Sequence, residues 1–256
     1  MTKVYYLMHS SFIVELQDRY LLFDYFDKNQ VTSTVDYKGG LPLLDDSKHL
    51  YVFASNNRKD HYTDEVLNWA KDRDNITYIF SKDIKISNGL LGGILSGGTP
   101  DYLKGKMHRV SSMSKYEIDD MTIETLRSTE AGVSFVINVC DLNIYYAGNN
   151  NWWNAEGRGE LYAEQYGREY KRSLRPYLNR HFDLAFVLLD SRMGEDGYYL
   201  GLDYFIKNID CECIFPMQMW GDYKWIDRFK SRPDISTLRD RVIDIDRENM
   251  IFELED

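Results

Sequence analysis

Short β-prone runs separated by turn residues open the chain at 3–7, 12–16, 20–23 and 50–54, and the run at 12–16 has period-two character. Together they predict a meandering sheet. Thr63 or Asp64 can cap a short helix running through Trp69 and Ala70, and residues 76–80 return as a strand, completing a β-loop-α-β passage. Strands recur at 121–126, 133–139 and 142–147, with Cys140-Asp141 as a two-residue hairpin turn. The polar stretch 160–180 predicts a long helix with a break at Pro176. Residues 184–189 form a continuous apolar run ending in Asp190, the pattern of a strand buried on both faces. A helix at 202–208 leads to Cys213-Ile214-Phe215, and 241–245 and 250–254 read as strands. Two β-rich halves, each followed by helices, define an α/β class.

The glycines at 89, 92, 93, 97 and 98 invite a phosphate-loop reading, but no Gly-Lys-Ser/Thr follows them, so this stretch reads as a surface loop. No Pro- or Ser-rich linker divides the 256 residues, which suggests a single domain over 1–256. At 43% hydrophobic content the chain can bury a substantial core. Its longest apolar runs fall short of the roughly 18 to 20 residues of a membrane span, and the start Met1 to His9 does not resemble a signal peptide. A cytoplasmic protein is expected.

Net charge of −10 removes the clustered positive potential that a phosphate backbone or anionic bilayer requires, so neither nucleic acid nor membrane is an expected partner. Arg168, Lys171, Arg172 and Arg175 alternate with Glu164 and Glu169 at helical spacing, which describes a solvated helix face. Cys140, Cys211 and Cys213 are odd in number and read as unpaired thiols without chemistry.

The strand at 50–54 is followed by Ser55-Asn56-Asn57-Arg58-Lys59-Asp60-His61. This frame resembles the His-x-His-x-Asp-His loop of the metallo-β-lactamase superfamily, in which two imidazoles serve one metal while an aspartate and an imidazole serve the other. Three further segments carry the same resemblance, in particular to the bacterial metal-dependent-hydrolase branch related to ascorbate-phosphate lactonases. Leu7-Met8-His9-Ser10-Ser11-Phe12, with Leu21-Leu22-Phe23-Asp24, is similar to that branch's opening hairpin, whose Gly-His-Ser-like turn lies near the active-site rim. Tyr145 to Trp153 resembles the strand ending in Gly-Asp, with Asn149 at the aspartate; Phe215-Pro216-Met217-Gln218 resembles the Pro-Met-His strand end, with Gln218 at the histidine. The resemblance implies an αββα four-layer sandwich of the metallo-β-lactamase type.

Carried over position by position, the resemblance places the metal shell at Asn56, Arg58, Asp60, His61, Asn149 and Gln218, of which Asp60 and His61 are strong ligands for zinc. The Arg58 guanidinium would stand where a divalent cation belongs and could pair with Asp60 instead. Two functions compete. In the first, a metal-free small-molecule-binding or regulatory pseudoenzyme uses Asn56, Arg58, Asn149, Gln218, His9, Asp190 and Arg192 to hold a polar or anionic ligand. The alternative is a hydrolase with one weakly bound divalent metal, zinc or manganese by resemblance, at Asp60 and His61.

Asp60 and His61 are the candidate catalytic residues; the resemblance implies that His9 and His61 both face the pocket, either serving as a general acid or base, with His61 the stronger candidate or else a loop-fixing histidine. Asp190-Ser191-Arg192 is similar to an Asp-Pro-Arg segment of the same branch and reads equally as an anion clamp or a structural ion pair. Trp152, Trp153, Trp220 and Trp225 are either an aromatic rim or core. His49, His108 and His181 have no partner motif and read as surface or structural residues.

Overall fold

A computed structural model describes residues 2–25, 40–86 and 100–254. The glycine-rich stretch at 88–99 lies outside the described residues. The chain divides into two compact units, one formed by 1–110 with 248–256 and the other by 111–247.

The first unit carries β1 (Thr2–Met8), β2 (Ser11–Glu15), β3 (Arg19–Phe23), β4 (His49–Ala54), β5 (Ile76–Ser81), β6 (Met107–Val110) and, from the far end of the sequence, β13 (Met250–Leu254). They form one sheet of order β13-β1-β2-β3-β4-β5-β6, antiparallel through β3 and parallel from β3 to β6. All residues of β3 and β5 are buried, as are five of the six in β4, and the apolar stretches 20–23, 50–54 and 78–80 within them are what the sequence shows. Leu22, Val52, Tyr78 and Phe80 pack with Val66, Leu67 and Ala70 of the following helix.

That helix, Asp64–Lys71, starts as expected, the Thr63 hydroxyl accepting the Glu65 N–H at 3.3 Å, but it is a 3-10 helix. The Tyr78 hydroxyl donates to the Val66 carbonyl at 2.8 Å and ties this helix to β5.

The second unit contains β7 (Ser114–Ile118), β8 (Met121–Arg127), β9 (Val133–Val139), β10 (Leu142–Tyr146), β11 (His181–Leu188) and β12 (Asp210–Met217), in the order β12-β11-β10-β9-β8-β7. Strands β10, β11 and β12 run parallel; the rest pair antiparallel. Cys140 and Asp141 take φ of 50° and 64°, the left-handed pair that a tight hairpin turn demands.

Helix α1 (Glu160–Leu174) ends before the expected limit at 180, because Pro176 offers no N–H to continue the ladder, and Arg175–Tyr177 tighten into a 3-10 turn. Helices α2 (Leu200–Asn208) and α3 (Lys224–Lys230) complete the unit. Residues 241–245 are not a strand: Arg239–Arg241 form a 3-10 turn, and only Val242 bridges to Ile214. Nearby, the Lys230 ammonium takes both the Val242 carbonyl and the Asp244 carboxylate, which ties the segment by side chain rather than by a ladder. Strands β6 and β7 escape sequence reading because they are short and half polar, with burial alternating along β7.

Gly167 sits where α1 crosses the Trp152 indole, and a Cβ at this position would lie 2.5 Å from a ring atom. The indole is held by its N–H to the Ala163 carbonyl and by Lys171, 4.1 Å from the ring centre, so it cannot swing aside freely. Gly167→Ala is therefore expected to destabilise the protein by about 1–3 kcal/mol through overpacking, despite the better helix propensity of alanine; a denaturant midpoint equal to or above that of the wild type would contradict this packing argument.

Candidate metal centre

Parallel strands β3 and β4 end side by side, and the residues just past their ends build the site. Asp24 follows β3 with φ of 46° and is fully buried. Its N–H donates to the Phe53 carbonyl at 2.9 Å, and its carboxylate accepts the Ser55 N–H and the Ser55 hydroxyl, each at 2.6 Å. The same carboxylate lies 2.6 Å from His61 Nδ1. One aspartate thus joins the end of β3, the start of the 55–61 loop and the histidine that closes that loop.

Within the loop, Asn56 is buried; its Oδ1 accepts the Arg58 N–H at 3.0 Å and its Nδ2 donates to the Ser55 hydroxyl at 2.9 Å. The Arg58 carbonyl accepts the N–H groups of His61 and Tyr62 at 2.9 and 3.0 Å. Asn56 therefore shapes the turn, as asparagine side chains do by mimicking a backbone hydrogen bond. The Arg58 side chain is exposed.

The turn between β1 and β2 brings a third participant. His9 is fully buried in the left-handed region at φ of 58°, a conformation that costs energy for a residue with a Cβ. Its N–H donates to the Tyr6 hydroxyl at 2.9 Å, and the neighbouring Ser10 hydroxyl donates to the Asp60 carbonyl at 2.9 Å. These contacts place His9 Nε2 3.2 Å from Asp60 Oδ2, while His61 Nε2 lies 3.8 Å from the same oxygen. His9, Asp60 and His61 thus each offer a ligand atom, all within 4.8 Å of one another.

This donor set suits a divalent metal. Two imidazole nitrogens and a carboxylate oxygen are the ligands that zinc takes at about 2.0–2.2 Å. With Nδ1–H donated to Asp24, the His61 lone pair is on Nε2, facing Asp60; a carboxylate behind a ligating histidine fixes tautomer and ring orientation in this way.

Burial pushes the Asp60 carboxyl upward, but the hydrogen bond from His9 and the charges of His61 and His9 outweigh it and hold the group well below the ordinary carboxylate range. Burial would lower the pKa of His61, but the charge and hydrogen bond of Asp24, with the charge of Asp60, raise it. A metal must displace the Nε2 proton, so apparent affinity should climb with pH until the medium passes the raised His61 value, above the usual imidazole pKa of about 6.5. Zinc titrations across pH 6 to 8.5 check this; a flat profile would contradict ligation by His61.

The other expected site residues form two pairs in the second unit. Asn149 follows β10 and Gln218 follows β12; Gln218 Nε2 donates to Asn149 Oδ1 at 2.8 Å and to the Gly148 carbonyl at 3.3 Å. Both side chains are buried, so the amides occupy each other. Asp190 follows β11, is fully buried, and accepts the Arg192 N–H at 3.0 Å and Arg192 Nε at 2.9 and 3.1 Å, with Arg192 Nη2 also on Oδ2. The Arg192 guanidinium also lies 4.6 Å from the centre of the Trp220 ring. Trp153 is buried and donates to the Asn149 carbonyl at 3.3 Å, while Trp225 donates to Asp222 at 2.9 Å, so both rings are tied into their own surroundings.

In sequence Asp24 stands out only as part of the hairpin that carries the resemblance. A carboxylate placed immediately after an all-apolar strand was the available signal that it is buried and must be paired.

Solved metallo-hydrolase and metallo-β-lactamase-fold structures match the chain over nearly its whole length, and the chain has that fold. Igni18, a metallo hydrolase from the hyperthermophilic archaeon Ignicoccus hospitalis, is similar at a TM-score of 0.59 and 14% identity over 99% of both chains. YhfI, a metallo-β-lactamase fold protein from Bacillus subtilis, gives 0.54 at 11% identity over 99% of this chain and 100% of its own. CmlA, a diiron β-hydroxylase from Streptomyces venezuelae, gives 0.50 at 14% identity over 96% of this chain and 47% of its own. Hydrolase and hydroxylase share the architecture, so the reaction has to be argued from the site. No protein-family profile and no curated protein matches the sequence. Among the described residues no helix is long and apolar enough to cross a membrane.

Proposed function

We propose that the protein is a hydrolase that works with one divalent metal held by His9, Asp60 and His61. The observation that carries this reading is the convergence of three ligand atoms from two separate loops within 4.8 Å. A divalent cation there would supply Lewis-acid polarisation and an acidified water.

The chain's own residues have distinct tasks. Asp24 holds the His61 tautomer that presents Nε2, and the Ser10 hydroxyl fixes the Asp60 backbone so that its carboxylate meets both imidazoles. Asp60 stays ionised far into acid and so keeps its ligand charge at any working pH. The resemblance puts Asn149 and Gln218 at a second metal's ligand positions, and neutral amides already bonded to each other are poor ligands for zinc, so the proposal is of a single metal.

Elemental analysis after zinc loading and dialysis tests the assignment. About one equivalent lost in Asp60→Asn is expected to accompany loss of any hydrolytic turnover. The competing metal-free reading is favoured by the cationic Arg58 in the loop; wild-type protein that holds no more zinc than Asp60→Asn would turn the argument towards it.

A further inference from the structure

We propose a second cation site in the 111–247 unit, a zinc-binding triad of His181, Asp183 and Glu212 across the starts of β11 and β12. His181 Nε2 lies 3.7 Å from Asp183 Oδ1 and 3.6 Å from Glu212 Oε1, and the three ligand atoms fall within 4.8 Å of one another. A triangle of that size leaves an ion at its centre roughly 2.1–2.4 Å from each corner, the short end of which meets the roughly 2.0–2.2 Å of nitrogen and oxygen ligands of zinc, so a small inward turn of the carboxylates closes the site.

Side-chain alternation explains the assembly. His181 and Asp183 project from the same face of β11, as do Asp210 and Glu212 from β12, and the two strands pair in parallel with His181 opposite Asp210. The intervening Cys211 and Cys213 belong to the other face and are not ligands.

The far side of the ligands is held by groups outside the triad. Asp183 Oδ2 accepts the backbone N–H of Asn143 at 2.7 Å, which leaves Oδ1 for the site. Asp210 Oδ2 lies 2.8 Å from His181 Nδ1, and Asp210 Oδ1 faces Arg241 at 3.6 Å, so the imidazole is turned with Nε2 towards the two carboxylates. His181 thus meets one carboxylate at Nδ1 and two at Nε2, the arrangement in which a metal-ligating histidine finds its outer and inner partners. One imidazole with two carboxylates favours zinc over calcium, which prefers oxygen alone.

The location gives the site a structural role. It occupies the starts of the strands whose other ends lead to Asp190 and Gln218, and a bound ion would link β11 to β12 there.

The test uses full-length protein carrying Asp60→Asn, so that the proposed catalytic centre does not contribute. Zinc loading, dialysis and elemental analysis should still give about one equivalent, and zinc should raise the melting temperature. Adding His181→Asn should abolish both, and adding Glu212→Gln, a change at an exposed side chain that keeps the fold, should weaken zinc binding at least tenfold. Zinc should also shift the His181 imidazole nitrogen resonances in Asp60→Asn protein. If Asp60→Asn binds no zinc, or if binding survives Glu212→Gln and His181→Asn unchanged, the triad is not a metal site. The proposed catalytic centre would be judged separately, by the difference between wild type and Asp60→Asn.

Discussion

Replacing Asp24 by alanine is expected to cost about 3–5 kcal/mol of stability, the range for leaving a buried charge-pair partner uncompensated. The residue is fully buried and its carboxylate serves three donors at once, the Ser55 N–H, the Ser55 hydroxyl and His61 Nδ1. Alanine leaves all of them without an acceptor in a place water does not reach. Asp24→Asn separates the fold from the chemistry. The amide keeps one oxygen for Ser55 but presents an N–H to His61, which favours the tautomer with the proton on Nε2 and removes the lone pair from the metal side. We expect near-native folding with zinc affinity lowered roughly 10–100-fold, the usual consequence of losing an outer partner of a ligating histidine. Denaturant unfolding in chelator and zinc titration of both variants provide the measurements; an Asp24→Asn protein with wild-type affinity would remove His61 from the ligand set.

His9→Gln carries the second large effect. Loss of an inner ligand should reduce zinc affinity by more than the roughly 10–100-fold attached to an outer one, while Asp60→Asn in the same assay sets the baseline for a site destroyed. The sequence-based alternative, a metal held by Asp60 and His61, predicts little change in His9→Gln. His9 sits in a strained left-handed turn, and glutamine tolerates that conformation no better than histidine, so unfolding curves must accompany the titration. Unaltered affinity in a folded His9→Gln protein would return the site to two ligands.

Strand patterns made most of the architecture legible. Buried strands such as β4, β5 and β11 announce themselves as apolar runs, and the Cys140-Asp141 turn is set by local backbone demands. Where contacts distant in sequence decide the outcome, the local pattern falls short: Val242 meets Ile214 only as a single bridge, not in a ladder. The candidate site divides in the same way. Asp60 and His61 were visible because they are adjacent in a loop that follows a strand. In sequence His9 reads as a pocket or rim residue, not as a metal ligand, because its approach to Asp60 depends on the Ser10 hydroxyl and on a pairing between residues 50 positions apart. At Asn56 the resemblance gives a metal-shell position, and the structure adds that its amide accepts the Arg58 N–H and shapes the turn leading to Asp60 and His61.

Strand β13 gives the first unit a timing problem. β1 is paired on one side by β2 and on the other by residues 250–254, which leave the ribosome only after the entire 111–247 unit has been made. Until then β1 has an open edge, a row of unsatisfied N–H and C=O groups from Thr2 to Tyr6 able to recruit a strand from another nascent chain. Lys3 is later matched to Glu253, and its charge on that edge is the kind of gatekeeper that discourages such recruitment during the wait.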